Sequence, residues 1–185
     1  MSPSGAVGET ALKLAERSGV ATLLVRREAR APYHAVTACA KGAPIDRLVI
    51  GWADKLSPAN LVHIVSAYTI PYEERLLAWG ASQPAIDVYV TREREERNRI
   101  LSGTLSELGM PAARAQLHVE RGAPLQVVLR RAAQWEADLL IVGRRAQARP
   151  LGGGAFGSVA RHVAFQAPVD VMIVPPEVAS PRPGS

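Results

Sequence analysis

DLLIVGRRAQARPLGGGAFGSV, residues Asp138 to Val159, joins an apolar run to a glycine-rich loop and then to the opening of a helix. Leu139 to Val142 carries no polar alternation, which suits a strand covered on both faces, as in a parallel sheet. Glycine permits close approach of backbone to a ligand, and the free N–H groups at a helix N-terminus, with the positive end of its dipole, make an anion site. Gly152, Gly154 and Gly157 satisfy G-x-G-x-x-G. That signature belongs directly after the first strand of a dinucleotide fold, with an acidic residue about twenty positions onward. Neither condition holds here. A P-loop is excluded too, because Ser158 follows Gly157 with no lysine between them.

The same pattern of strand followed by helix extends outward from this stretch. Continuous apolar runs recur at Ala35 to Ala40, Leu61 to Ala67, Leu117 to Val119 and Val169 to Val174. Between them lie helical patterns. Ile45, Leu48, Val49, Trp52 and Leu56 share one face behind Pro44, and Leu125, Val128, Leu129 and Ala132 repeat this behind Pro124. A longer helix runs from Ile86 to Leu108 and ends at Gly109, and Ser158 to Phe165 supplies another. The alternation predicts a doubly wound α/β domain with right-handed crossovers, complete between about residues 33 and 176.

Composition narrows the function. The chain has 185 residues, 48% of them hydrophobic and 21% charged, enough for one cored domain and not for a second. Twenty-two Lys and Arg against 17 Asp and Glu leave a net charge of +5, without the basic block interleaved with aromatics that marks a nucleic-acid surface. One cysteine and four scattered histidines exclude a disulfide framework and a zinc module. No apolar run reaches membrane-span length, and MSPSGAVGET lacks the regions of a signal peptide, so a cytoplasmic protein is expected.

The first thirty residues contain a repeat. At an offset of 149 without gaps, Gly8 to Glu28 aligns with Gly157 to Glu177; Gly8, Ala11, Ala15, Val20, Val25 and Glu28 recur as Gly157, Ala160, Ala164, Val169, Val174 and Glu177. Any two amphipathic helix-plus-strand pieces share some features, and the repeat is the reading preferred. It makes residues 1–30 the last helix and strand of another domain, 31–178 the complete domain and 179–185 a disordered tail.

Taken with its surroundings, the opening stretch resembles the universal stress protein family. The family motif is a glycine, two residues, a glycine, nine residues, then glycine and serine or threonine, after the fourth strand. Gly143 fills the first position, Ala146 stands where the second glycine belongs, and Gly157-Ser158 closes it after a loop one residue longer. PYHAVTACAKGAP resembles the family's first strand and turn, LVHIVSAY its second strand, HVERGAP its third strand and turn, and APVDVMIVPP its last strand. The resemblance implies a five-stranded parallel sheet, adenine nucleotide α-hydrolase-like, ordered 3-2-1-4-5, with the N-terminal helix and strand as an addition. It also implies that residues 1–30 end a preceding stress-protein domain.

In the family's nucleotide binders an aspartate ends the first strand, a residue after the second strand's histidine packs on adenine, and the glycine motif holds ribose and phosphates. By resemblance those positions are Lys41, Ile64, Gly143, Ala146, Gly157, Ser158 and Val159. Lys41 puts a donor ammonium where the binders place an acceptor carboxylate. Arg144, Arg145, Arg149 and Arg161 could clamp phosphate or simply face solvent. His63 reads as a hydrogen-bonded core histidine, Cys39 as an inert thiol, TREREERNR as a solvated helix face, and Trp79 as a marker of a contact surface.

The expectation is therefore a non-enzymatic stress-response domain that acts by self- or partner association, without a cofactor and with a degenerate nucleotide or anion site. The alternative is an ATP-dependent switch. Family dimers join by antiparallel pairing of their last strands, which implies a homodimer and makes Val169, Val171 and Ile173, with Thr22 and Leu24, the expected interface. Thr22 to Arg26 should add to that edge, within the chain or across a dimer. No catalytic or metal residues are expected.

Overall fold

The structure, a computed structural model, describes residues 8–26, 28, 32–144 and 158–176. Its elements in chain order are α1 (Glu9–Arg17), β1 (Thr22–Leu24), β2 (Val36–Ala40), α2 (Asp46–Leu56), β3 (Val62–Tyr68), α3 (Glu73–Ala78) and α4 (Gln83–Glu107). A 3₁₀ turn, Ala112–Arg114, then leads to β4 (Ala115–Arg121), α5 (Pro124–Gln134), β5 (Leu139–Gly143), α6 (Ser158–Gln166) and β6 (Asp170–Val174).

Local chemistry sets the helix ends. Pro124 opens α5, where its missing N–H costs nothing, and Ser82 caps α4 by accepting from the Ala85 N–H. After α4 the chain turns at Gly109 with φ +66°, a conformation that side chains rarely tolerate. The short helix α3 was not singled out by the sequence pattern.

One six-stranded sheet has the order β1-β6-β5-β2-β3-β4. The strands β2 to β6 are parallel and follow the expected 3-2-1-4-5 order, and β1 lies antiparallel on the outer edge of β6. Because strands present alternate residues to opposite faces, two cores form. Val65, Leu140, Val142, Val171 and Ile173 pack under α1, α5 and α6, and Ile64, Ala38, Ile141 and Val174 pack under α2 and α4.

The N-terminal strand settles the fate of the β6 edge within the chain. Thr22 faces Ile173, Leu23 faces Met172 and Leu24 faces Val171. The homodimer expected through last-strand pairing would use this same edge, on which β1 of the same chain lies. Val169, expected at the interface, lies before the strand and is buried in the core without a β1 partner. Asp170 ties the two segments together, accepting from the Arg26 backbone N–H at 2.7 Å and from the Tyr33 hydroxyl at 2.8 Å. Of the expected features, Arg149, Glu177 and the tail 179–185 lie outside the described residues.

Candidate functional site

At the carboxyl ends of β2 and β5, where the strand order reverses, a cavity of about 280 Å³ opens. Open α/β sheets bind ligands at this position. Val65, Ala67 and Tyr68 from β3 and Val142 and Gly143 from β5 form its floor, and the N-termini of α2, α5 and α6 bring Ile45, Pro124 and Val159 to its walls. Its volume sits at the lower edge of the roughly 300–1,000 Å³ usual for small-molecule sites.

Lys41 follows β2 directly and lines this cavity together with Gly143, so the two are neighbours at the same end of the sheet. The carboxylate beside Lys41 belongs to Asp46, in the first turn of α2. Asp46 is buried, and its Oδ2 accepts from the backbone N–H groups of Lys41, Gly42 and Ala43 at 3.0, 2.7 and 2.8 Å. Burial pushes its pKa up, and the three N–H donors and the Lys41 charge oppose that rise. This acid thus holds the turn after β2 in shape. The Cys39 thiol also faces the cavity, and burial, reinforced by Asp46, pushes its pKa up to about 12. A thiol so raised stays protonated near neutral pH and is a poor nucleophile.

Gly143 owes its identity to packing as well as to the cavity. A Cβ there would lie 2.7 Å from Ile45 Cγ1 and 3.2 Å from Val49 Cγ2, so α2 could not seat against β5. Val159 reaches the cavity from the first turn of α6, at the place the resemblance gave it. Ser158 opens α6 in its backbone, its side chain lies outside the described residues, and so do Ala146 and Gly157.

Two expected site residues are elsewhere. Ile64 is fully buried under α2 and α4 and does not line the cavity; strand alternation gives that place to Val65, one residue on. Arg144 is buried and donates from Nη1 to the Glu16 carbonyl at 2.9 Å and from Nη2 to the Ser18 carbonyl at 3.1 Å. It satisfies orphan carbonyls at the end of α1 and is not placed as a phosphate clamp.

Asp46 and Arg97 are cavity residues that the sequence pattern did not single out. Arg97 reaches the cavity from α4, donates from Nη1 to the Lys41 carbonyl at 2.9 Å, pairs with Glu93 at 2.7 Å and lies 5.5 Å from the Tyr68 ring centre. The Glu93–Arg97 pair has the i, i+4 spacing expected for TREREERNR, on a part of the helix that turns inward. The only available signal was the pairing of this residue with Val90, Ile100 and Leu101 on a helical stripe.

His63 lies on the opposite half of the sheet from the cavity mouth. Its Nδ1 is 3.5 Å from His118 Nε2, and its ring stacks on Trp135 with centroids 4.2 Å apart. Burial pulls both histidine pKa values down. Trp79 is exposed with Arg75 over its ring at 4.8 Å, and Trp52 packs partly buried against the α2 core. Among the described residues no helix is long and apolar enough to cross a membrane, and no group of three or more potential metal ligands occurs.

Among curated proteins none matches the chain. Solved structures do. A functionally unknown protein from Pseudomonas aeruginosa PAO1 superposes with a TM-score of 0.67 at 20% identity, covering 93% of this chain and 58% of that one. A candidate universal stress protein from Pseudomonas aeruginosa UCBPP-PA14 gives 0.66 at 20% identity, covering 94% and 59%. The chain thus spans less than three fifths of the length of either. A universal stress protein in complex with cAMP gives 0.51 at 23% identity, covering 78% of this chain and 98% of that one. At these identities the likeness is one of fold. The sequence model of the universal stress protein family matches residues 32–175. With that span covering the whole parallel sheet and its cavity, the chain belongs to the universal stress protein family.

Proposed function

We propose that this chain is a non-enzymatic stress-response domain that works by association, and that its cavity holds adenine nucleotides weakly or not at all. The observation that carries this reading is the charge at the end of β2. Lys41 lines the cavity, Arg97 lines it next to Lys41, and the nearby carboxylate, Asp46, is buried with one oxygen committed to three backbone donors. An adenine amino group brought to the Lys41 position meets an ammonium donor where the family's binders place an acceptor carboxylate. A donor left unpaired on burial costs about 1–3 kcal/mol, or roughly ten- to hundredfold in affinity. Among the described residues lining the cavity, the Cys39 thiol is pushed up in pKa by burial and the Asp46 carboxylate is held in a turn.

The alternative is a nucleotide-dependent switch. Favouring it are the cavity's position at the reversal of strand order, the seating of Gly143 and Val159 there, and the cAMP complex of one solved neighbour. Calorimetric titration separates the two readings. ATP should release little heat with the unaltered protein, and Lys41→Asp should tighten binding about tenfold or more. Micromolar affinity in the unaltered protein would establish the switch instead.

A further inference from the structure

The repeat seen in sequence is reproduced in space. Glu9–Arg17 and Ser158–Gln166 have the same bounds at the offset of 149, and β1 falls within the counterpart of β6. The antiparallel pair is centred on Leu23 opposite Met172, and Met172 is the counterpart of Leu23 itself. Thr22 faces Ile173, the counterpart of Leu24, and Leu24 faces Val171, the counterpart of Thr22. The contact is therefore isologous, each copy of the unit presenting the same patch about a local two-fold axis.

The surroundings of the two copies are not alike. On its inner side β6 pairs in parallel with β5 from Leu139–Asp170 to Gly143–Val174, whereas β1 ends the sheet. Val163, Val169 and Val174 are 0%, 4% and 0% exposed, while their counterparts Leu14, Val20 and Val25 are 67%, 67% and 56% exposed. Met172 is 6% exposed and Leu23 is 40%. Four positions that β6, α6 and the turn between them bury, Val163, Val169, Met172 and Val174, thus have apolar, exposed counterparts in the N-terminal unit.

We propose that the outer edge of β1, with Leu14, Val20, Leu23 and Val25, is a docking surface for the body of a second universal stress protein domain, which lays a β5-like strand parallel to β1. This names the partner for the association proposed above and rests on that reading. The occupant follows from the counterparts, whose burial is achieved by a parallel neighbour and the core beneath it. An intact second copy of this chain has no such strand free, because β6 covers its own β5. Its edge strands are β1 and β4, and neither is a β5-like strand left open by the loss of its β6. Over two fifths of each Pseudomonas neighbour lies outside the match, which leaves room for such a body beside the matched region. Bare apolar side chains along a sheet edge are also features that folded proteins ordinarily cover.

The test joins a copy of residues 32–156 directly ahead of Gly8 in the full chain, which keeps the spacing of the repeat because Gly8 is the counterpart of Gly157. The expected product is a monomer in which both bodies unfold cooperatively. Leu14→Asp with Leu23→Lys should abolish folding of the added body while leaving the melting temperature of the unjoined chain nearly unchanged. An added body that stays unfolded in the unaltered joined chain would overturn the proposal, and so would a double substitution with equal effects in the two settings. Sedimentation of the unjoined chain supplies a further check. A dimer that Leu23→Lys dissociates would assign the surface to a second copy and overturn it as well. None of these readouts depends on nucleotide, so they can fail while the calorimetric result stands.

Discussion

The unit α1–β1 and the unit α6–β6 share helix length, spacing and apolar pattern, yet one is a rim and the other is core. α6 has Val163 and Ala164 fully buried, and α1 buries Leu12 and Ala15 while exposing Leu14. Secondary structure follows from the shared pattern, whereas burial depends on what the rest of the sheet places alongside. The two units also exchange support. Arg144, at the end of β5, holds the last carbonyls of α1, and Arg26, just after β1, donates to the Ala164 and Phe165 carbonyls at the end of α6. A cation at a helix C-terminus is favourable both for hydrogen bonding and for the dipole.

The largest test of this contrast is a charge placed at counterpart positions. Val163→Asp puts an unpaired carboxylate in the core and should cost more than about 4 kcal/mol, enough to unfold a marginal domain. Leu14→Asp should stay within about 0.5 kcal/mol, as surface substitutions do. Urea denaturation followed by circular dichroism reads both, and equal losses would mean that the copies are not differently buried.

A smaller effect is expected from Arg144→Ala. Hydrogen bonds to a charged group are worth about 1.5–3 kcal/mol, and losing the two to α1 should loosen that helix. Amide exchange should quicken across residues 9–24 and remain slow in β2, β3 and β5. If exchange quickened uniformly, Arg144 would be a general core residue and not a tie between the copies.

The smallest effect lies outside both copies, in the His63–His118 pair. Burial lowers both pKa values, with His63 and Arg131 further lowering that of His118. As pH falls below about 6.5 the unfolded chain therefore binds protons that the folded chain resists, and stability declines. The urea midpoint should be lower at pH 5.5 than at pH 7.5, and His118→Gln should reduce the difference. Protection of Thr22 to Leu24 in the β1–β6 pair should not respond separately.

The strands, the longer helices and the N-terminal unit were legible because they rest on apolar periodicity and on a repeat, whereas the sheet order and the pairing of β1 with β6 came from the family resemblance. The cavity's location came the same way, since it follows from strand order. Individual side chains were harder to place. Ile64 and Val65 are adjacent and equally apolar, and only the pleat decides which one faces the cavity. Arg144 stands in an arginine-rich loop that suggests phosphate, but folding brings it to the carbonyls of a helix about 130 residues earlier. Arg97 sits in a charge run, TREREERNR, whose solvated look conceals one inward position.

The N-terminal unit gives β6 a partner strand from its own chain. Removal of residues 1–28, followed by sedimentation equilibrium beside the full chain, tests it most directly. The full chain should be monomeric, and the shortened chain should dimerise through its uncovered β6 edge. A shortened chain that remains monomeric, soluble and equally stable would contradict it.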